Sequence, residues 1–376
     1  VPFFVEETFY YLLSLSGLAL TSLLLEACSR ATPALLEQPT TTPAASTTTE
    51  ATPTTELPVR PSPTTMATPP VTRRSPMAQV AFVKTQDRAA GVNKALDLLE
   101  INSMQGQDLF LKPNFNSADA PPGSTHNDTL SALVRTLQAT GADRITVGDR
   151  SGMGDTRSVM KQKGVFRLAD ELGFDVVVFD ELDASGWEMM QVEGSHWQNG
   201  FAVARPVLEA DGVIQTCCLK THRYGGHFTI SLKNSVGLVA KSVPGERYDY
   251  MSELHSSPHQ RHMIAEINVA YQPALIVVDG VEAFVDGGPD RGKRVAAQVI
   301  LAGTDRVAID AVGVAMLRYF GTTPAVSQGS IFQQEQIARA VELGLGVDGP
   351  EKIELITDDP ESAAYAGEIQ QILQQE

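Results

Sequence analysis

Thiols are scarce in this sequence. Cys28, Cys217 and Cys218 are its only cysteines, and no Cys-x-x-Cys pair occurs. That excludes an iron–sulfur cluster and a four-thiolate zinc site. Adjacent cysteines rarely bridge, so Cys217 and Cys218 read as buried strand residues. Positive charge is also in deficit: 29 Lys and Arg stand against 45 Asp and Glu, a net charge of −16. Nucleic acid and anionic lipid surfaces are recognised through basic footprints, so the acidic body excludes nucleic acid as a partner and any direct electrostatic hold on a membrane. No internal repeat is present.

Long apolar runs are equally rare. The run Tyr10–Leu25 has 16 residues, fewer than the ~20 that a spanning helix needs and the length of a signal h-region. It leads into Leu25-Glu26-Ala27-Cys28, which resembles a bacterial lipoprotein cleavage box and makes Cys28 the expected lipid attachment. An uncleaved anchor helix is the alternative, and either one tethers the protein. Residues 29–77 are rich in Thr, Pro and Ala. Such a segment buries too little apolar surface to offset chain entropy and reads as a disordered linker. The expected organisation is an anchor over 1–28, a linker over 29–77 and a folded domain over 78–376. The expected location is extracytoplasmic and membrane-anchored.

From Ala78 the texture alternates. Strand candidates are Gln79–Lys84, Asp108–Lys112, Arg144–Gly148, Asp175–Phe179, Gly212–Cys218, Ala274–Val278 and Gln298–Ala302. They run nearly continuously apolar, as strands covered on both faces do. Helical patterns cover Arg88–Asn102, Asp128–Thr140, Thr156–Leu172, Asp305–Tyr319, Ile331–Leu343 and Pro360–Leu373. Strand–helix alternation predicts an α/β fold, a mostly parallel sheet flanked by helices, in one body or two lobes. The stretch Leu238–Arg261 lacks periodicity and reads as a lid or active-site loop.

In open α/β sheets ligands bind beyond the carboxyl ends of the strands. Four strand candidates here run into polar residues: Lys112-Pro113-Asn114, Gly148-Asp149, Lys220-Thr221-His222 and Asp279-Gly280. Lys220 and His222 are two apart, so an extended backbone points them the same way. Beyond Gly225-Gly226, where backbone can approach closely, come Lys233 and Asn234. A parallel sheet would gather Lys112, Asn114, Asp149, Lys220, His222 and Asp279 at one edge, with Lys233 and Asn234 lining the same site. His255, His259 and His262 form a second cluster. The last two have the spacing of one helix face, without an adjacent carboxylate to complete a metal set.

Taken in order, these pieces resemble the bacterial and archaeal domain of unknown function family 362. They are Lys112-Pro113-Asn114, Gly148-Asp149 with Ser151-Gly152, Lys220-Thr221-His222, Leu232-Lys233-Asn234-Ser235-Val236-Gly237, Val278-Asp279-Gly280 with Gly287-Gly288-Pro289, and Gly303-Thr304-Asp305 with Ala308-Ile309-Asp310. The resemblance runs over nearly all of Ala78–Thr357 and implies a fold and a site more than a reaction. A fainter likeness is to the nickel-pincer lactate racemase family. It implies an acid/base role for His222 and a cofactor-holding role for Lys233.

The leading expectation is an enzyme acting on a small anionic substrate, a carboxylate or phosphate. Lys112, Lys220 and Lys233 neutralise it, Asn114 and Asn234 help bind it, and His222 moves protons near neutral pH. Asp149 or Asp279 orients the imidazole or holds a divalent cation. Two alternatives stand beside it: a lipoprotein that binds such a ligand without chemistry, and a scaffold or interaction domain.

Overall fold

A computed structural model describes residues 64–66 and 77–375. The apolar N-terminal run, Cys28 and almost all of the Thr/Pro-rich segment lie outside the described residues. The strands, in chain order, are β1 (Thr64–Met66), β2 (Ala78–Lys84), β3 (Asp108–Lys112), β4 (Arg144–Asp149), β5 (Asp175–Val178), β6 (Trp187–Val192) and β7 (Phe201–Ala204). They continue as β8 (Gly212–His222), β9 (His227–Thr229), β10 (Pro273–Gly287), β11 (Gly292–Val295), β12 (Val299–Gly303) and β13 (Ile353–Ile356).

Ten strands form one sheet, in the order β13-β2-β12-β10-β8-β3-β4-β5, with β11 paired to β10 and β9 to β8. The run β10-β8-β3-β4-β5 is parallel throughout, as is β13 on β2. β12 lies antiparallel to both of its neighbours. The chain is thus an α/β fold built on a mostly parallel sheet flanked by helices. A small second sheet holds β1, β6 and β7. Its strand β1 falls inside the segment that composition assigns to the linker.

Both faces of the large sheet are dry, which explains the unbroken apolar runs. β8 is buried at every position. On one face Val80, Phe82, Cys217, Leu219, Ile276, Val278 and Leu301 pack against the helix Arg306–Tyr319. On the other, Ala81, Val83, Leu109, Leu111, Ile145, Val147, Val277 and Ile300 pack against the helices Arg88–Leu98 and Asn127–Ala139. The alternation along β2 and β10 is the period of two that a pleated strand imposes. Cys217 and Cys218 are buried and free.

Two helical readings are corrected. Ile331–Leu343 is a 3-10 turn, Ile331–Gln333, followed after the extended Gln334 by the helix Glu335–Glu342. Thr156–Leu172 is two helices, Thr156–Gln162 and Val165–Leu172. Gly164 between them sits at φ 74°, in the left-handed region that ends a helix. Asp155 caps the first of them by accepting from Ser158 N. Asp305 caps Arg306–Tyr319 through Val307 N and Ala308 N, and also accepts from Val347 N. Among the described residues no helix is long and apolar enough to cross a membrane.

All three buried apolar clusters lie between Ala78 and Leu373. A chain shortened to residues 77–376 should therefore unfold cooperatively, within a few degrees of the full-length Tm by calorimetry. Loss of the cooperative transition would place part of the core in the first 76 residues.

Candidate active site

The central cassette folds as one unit. β8 delivers Lys220 and His222, a tight turn leads into β9, and a four-residue helix, Ser231–Asn234, follows. A helix this short cannot hold itself together, and a buried polar network clamps it. The Asp310 carboxylate accepts from Ser231 N at 2.7 Å and Leu232 N at 3.2 Å. The Ser231 hydroxyl donates to Gln215 at 2.8 Å, and Asn268 Nδ2 donates to the Leu232 carbonyl at 3.0 Å. Arg306, fully buried, holds Asn268 in turn at 2.7 Å. Lys233 and Asn234 project from this clamp toward the ends of β3 and β8.

The result is a cavity of about 830 Å³ at the carboxyl edge of the sheet, lined by Lys112, Asn114, Asp149, Lys220, His222, Lys233 and Asn234 among others. A line of hydrogen bonds ties the strand ends together. Lys112 pairs with Asp149 at 2.8 Å. Lys112 Nζ also donates to Asn234 Oδ1 at 3.3 Å, which accepts from Asn114 Nδ2 at 3.0 Å. Asn114 Oδ1 accepts from Lys220 Nζ at 3.0 Å. Lys220 further donates to the carbonyls of Gly123 and, at 3.2 Å, Pro289.

Two glycines make this crowding possible. A Cβ on Gly226 would overlap the Lys233 side chain and lie 3.2 Å from His222 Nδ1. Lys233 and the imidazole therefore meet across Gly226. A Cβ on Gly237 would overlap Asp149 Oδ1 and come within 2.9 Å of Lys112 Nζ.

The charge balance is lopsided. Five cationic side chains line the cavity (Lys112, Arg150, Lys220, Lys233 and Lys241) against the carboxylates of Asp149 and Asp249. Asp149 belongs to Lys112, and Lys241 pairs with Asp180 at 3.0 Å. Arg150 spends its guanidinium on the carbonyls of Val239 and Val236, at 2.8 and 2.7 Å. Lys220 has only neutral acceptors. Lys233 has no hydrogen-bond or ion-pair partner among the described residues. Burial, with Lys220 and Arg150 nearby, pushes its ammonium down to about 7. Burial and then the Lys233 and Lys220 charges push His222 well below its ordinary value, so the imidazole is neutral at neutral pH. His222 Nδ1 and Thr229 Oγ1 are buried and have no hydrogen-bond partner among the described residues.

Seven of the eight expected site residues thus converge. Asp279 does not. β10 continues for eight residues beyond it, and Asp279 lies level with Cys218. It shares the face of Leu275 and Val277, toward the flanking helices, where it pairs with Arg88 at 2.7 Å and accepts from Thr129 at 2.8 Å. Asp149 is also recast. It accepts from Phe115 N, Arg150 N and Lys112, so it positions a lysine rather than orienting His222. Among the described residues, no group of three or more His, Cys, Asp or Glu is arranged to hold a metal ion.

The second histidine cluster divides. His255 joins the main cavity, while His259 and His262 pack at a tilt against His196, at 4.5 and 4.9 Å between ring centroids. The aperiodic stretch Leu238–Arg261 does wall the cavity, through Lys241, Asp249, Met251, Ser252 and His255. It carries the helix Tyr250–Ser256, capped by Asp249. Arg150, Asn116 and Tyr224 also line the cavity and were not expected. Arg150 adjoins Asp149 at a strand end, and that position was the available signal.

Two predictions follow from these buried charges. The unfolded chain protonates Lys233 up to 10.5, the folded chain only to about 7. The destabilisation is complete below about 7 and disappears as pH rises toward 10.5. Lys233→Met should stabilise the fold, on the order of a few kcal/mol at neutral pH and progressively less at alkaline pH, as read by denaturant unfolding. A loss of stability would make Lys233 structural. Asp310 runs the other way. Burial raises its carboxyl from 3.8 to about 7, so its favourable contribution is complete below 3.8 and lost as pH rises through about 7. Asp310→Asn should flatten the stability profile across that window, and an unchanged profile would contradict the assignment.

A family model described as a domain of unknown function (DUF362) matches residues 109–315, which contain the whole cassette, the clamp and all eight residues expected at the cavity. A thylakoid-associated protein of Synechocystis, sll1697, is 26% identical over 211 residues. That match covers 55% of this chain and 62% of the relative, so the chain spans less than two thirds of that relative's length. Among solved structures, the lactate racemase apoprotein of Thermoanaerobacterium thermosaccharolyticum is a loose neighbour, with a TM-score of 0.35 and 16% identity over 56% of this chain and 52% of that one. The family match covers more than half of the sequence: this chain belongs to the domain of unknown function family 362.

Proposed function

We propose that the cavity is the active site of an enzyme acting on a small anion, a carboxylate or a phosphate, with His222 moving the proton. The observation that carries this reading is the buried cluster of Arg150, Lys220 and Lys233, none paired with a carboxylate. Burying like charges together is costly unless something negative completes the set. The chain is strongly acidic overall, yet no carboxylate among the described residues forms an ion pair with any of the three. A neutral imidazole beside these cations is in the right state to accept a proton, and a bound anion shifts it toward holding one. A pure binding site needs the cations alone. The unpartnered His222 Nδ1 favours chemistry.

Phosphate and a panel of small carboxylates should raise the Tm of the protein. Lys233→Ala should weaken binding by about 1.5–3 kcal/mol, the scale of a hydrogen bond to a charged group. The bound anion favours the protonated lysine, so affinity by calorimetry should fall as pH rises through about 7. If no anion stabilises the protein, or if stabilisation survives in both Lys233→Ala and Lys220→Met, the reading fails.

We also propose that the domain works outside the cytoplasm, tethered through Cys28. The support is the apolar run ending at a lipoprotein-like box and the Thr/Pro-rich segment after it. Cys28→Ala should move the protein from the membrane to the soluble fraction in a bacterial host, and unchanged partitioning contradicts lipid attachment.

A further inference from the structure

Four lysines line the cavity, and three of them are occupied. Lys112 is paired with Asp149, Lys241 with Asp180, and Lys220 donates to three oxygen acceptors. Lys233 alone has no partner among the described residues. It is buried, held on a clamped helix, and its stem crosses Gly226 against His222. Proposing a second cation for charge neutralisation does not explain why this one is kept unpaired. A buried amine beside other cations, with no hydrogen-bond acceptor among the described residues, is the arrangement that leaves a nitrogen lone pair free to react.

We propose that Lys233 is a covalent nucleophile whose Nζ condenses with the carbonyl carbon of a small carbonyl compound that also bears a carboxylate or phosphate. The inference rests on the reading of the cavity as an anion site and adds a bond to it. Lys220 and Arg150 hold the anionic group. Nζ attacks the carbonyl carbon, and the C=O π electrons move to oxygen. His222 takes a proton from the nitrogen and returns it to that oxygen, giving a neutral carbinolamine. The C–O bond then breaks, the hydroxyl leaves as water with one proton from solvent, and the nitrogen lone pair closes the C=N bond. The product is a protonated imine. Its positive charge replaces that of the lysine and lies beside the ligand's own anion, so the site gains no net charge over the protonated amine. Lys233 is suited to this because an ammonium pushed down to about 7 is half neutral at neutral pH, whereas a surface lysine is almost wholly protonated there.

The test is reductive trapping on the full chain at neutral pH. The protein is incubated with pyruvate, dihydroxyacetone phosphate or acetone, reduced with cyanoborohydride, digested and mapped by mass spectrometry. The expected result is a reduced adduct on Lys233 from pyruvate or dihydroxyacetone phosphate, exceeding that on the exposed Lys84 and Lys293 by roughly tenfold or more. The stronger of the two probes assigns the anion. Acetone, which lacks the anion, should label weakly, and Lys233→Arg, which keeps the charge but cannot condense, should abolish the adduct. Label spread over surface lysines, label on Lys220 instead, or equal label from acetone overturns the proposal. If phosphate and carboxylates still raise the Tm in that case, the anion site stands and only the covalent step falls. If they do not, both fall together.

Discussion

The site depends on burying the Lys233 ammonium beside Lys220 and Arg150, with no ion pair to a carboxylate for any of the three among the described residues. Desolvation opposes each charge, and each charge opposes the others. The rest of the molecule makes that placement tolerable. Lys220 is fed carbonyl and amide oxygens from three separate segments, and Arg150 takes backbone carbonyls from the loop that follows the clamped helix. Lys233 has no such acceptor among the described residues, so losing its proton or meeting an anion relieves the cost of its burial. Charge of one sign is thus stored by the fold until a ligand supplies the other.

Holding such a residue requires rigidity where local propensity offers none. The four-residue helix that carries Lys233 and Asn234 is anchored by Asp310 at its first two N–H groups, by Gln215 below it and by Asn268 at its carbonyl side. These anchors come from three elements of the core, and Arg306, on the same helix as Asp310, locks Asn268 in turn. The helix Arg306–Tyr319 therefore serves two ends. Its apolar face builds the core, and its buried Arg306 and Asp310 fix the geometry of a site that they do not touch. Removing side chains completes the geometry: Gly226 and Gly237 leave the gaps through which two lysines pass.

Much of this was legible in the sequence because strands obey a simple period. Lys220 and His222 share one side of β8, as alternation requires. The expected ends of β3 and β4 put Lys112, Asn114 and Asp149 at the same edge. The Gly225-Gly226 pair marked the close approach that brings Lys233 to His222. Asp279 failed the same logic because β10 does not end there: pairing with β11 and β12 carries it onward, and parity turns the carboxylate to the helix face. The grouping of His255 with His259 and His262 failed because the stretch Leu238–Arg261 holds two helical turns that periodicity did not reveal. The Asp310 clamp was invisible for a different reason. It joins residues nearly eighty positions apart, and nothing local distinguishes a buried clamping aspartate from an ordinary one in a helix.

The account stands or falls on the protonation of Lys233. The direct measurement is a ¹³C NMR titration of lysine-labelled protein, with the Lys233 signal assigned by its absence in Lys233→Arg. The account predicts a midpoint near 7 in the free protein, moving upward when a small anion fills the cavity. A midpoint near 10.5, the ordinary lysine value, and unmoved by any anion would contradict it.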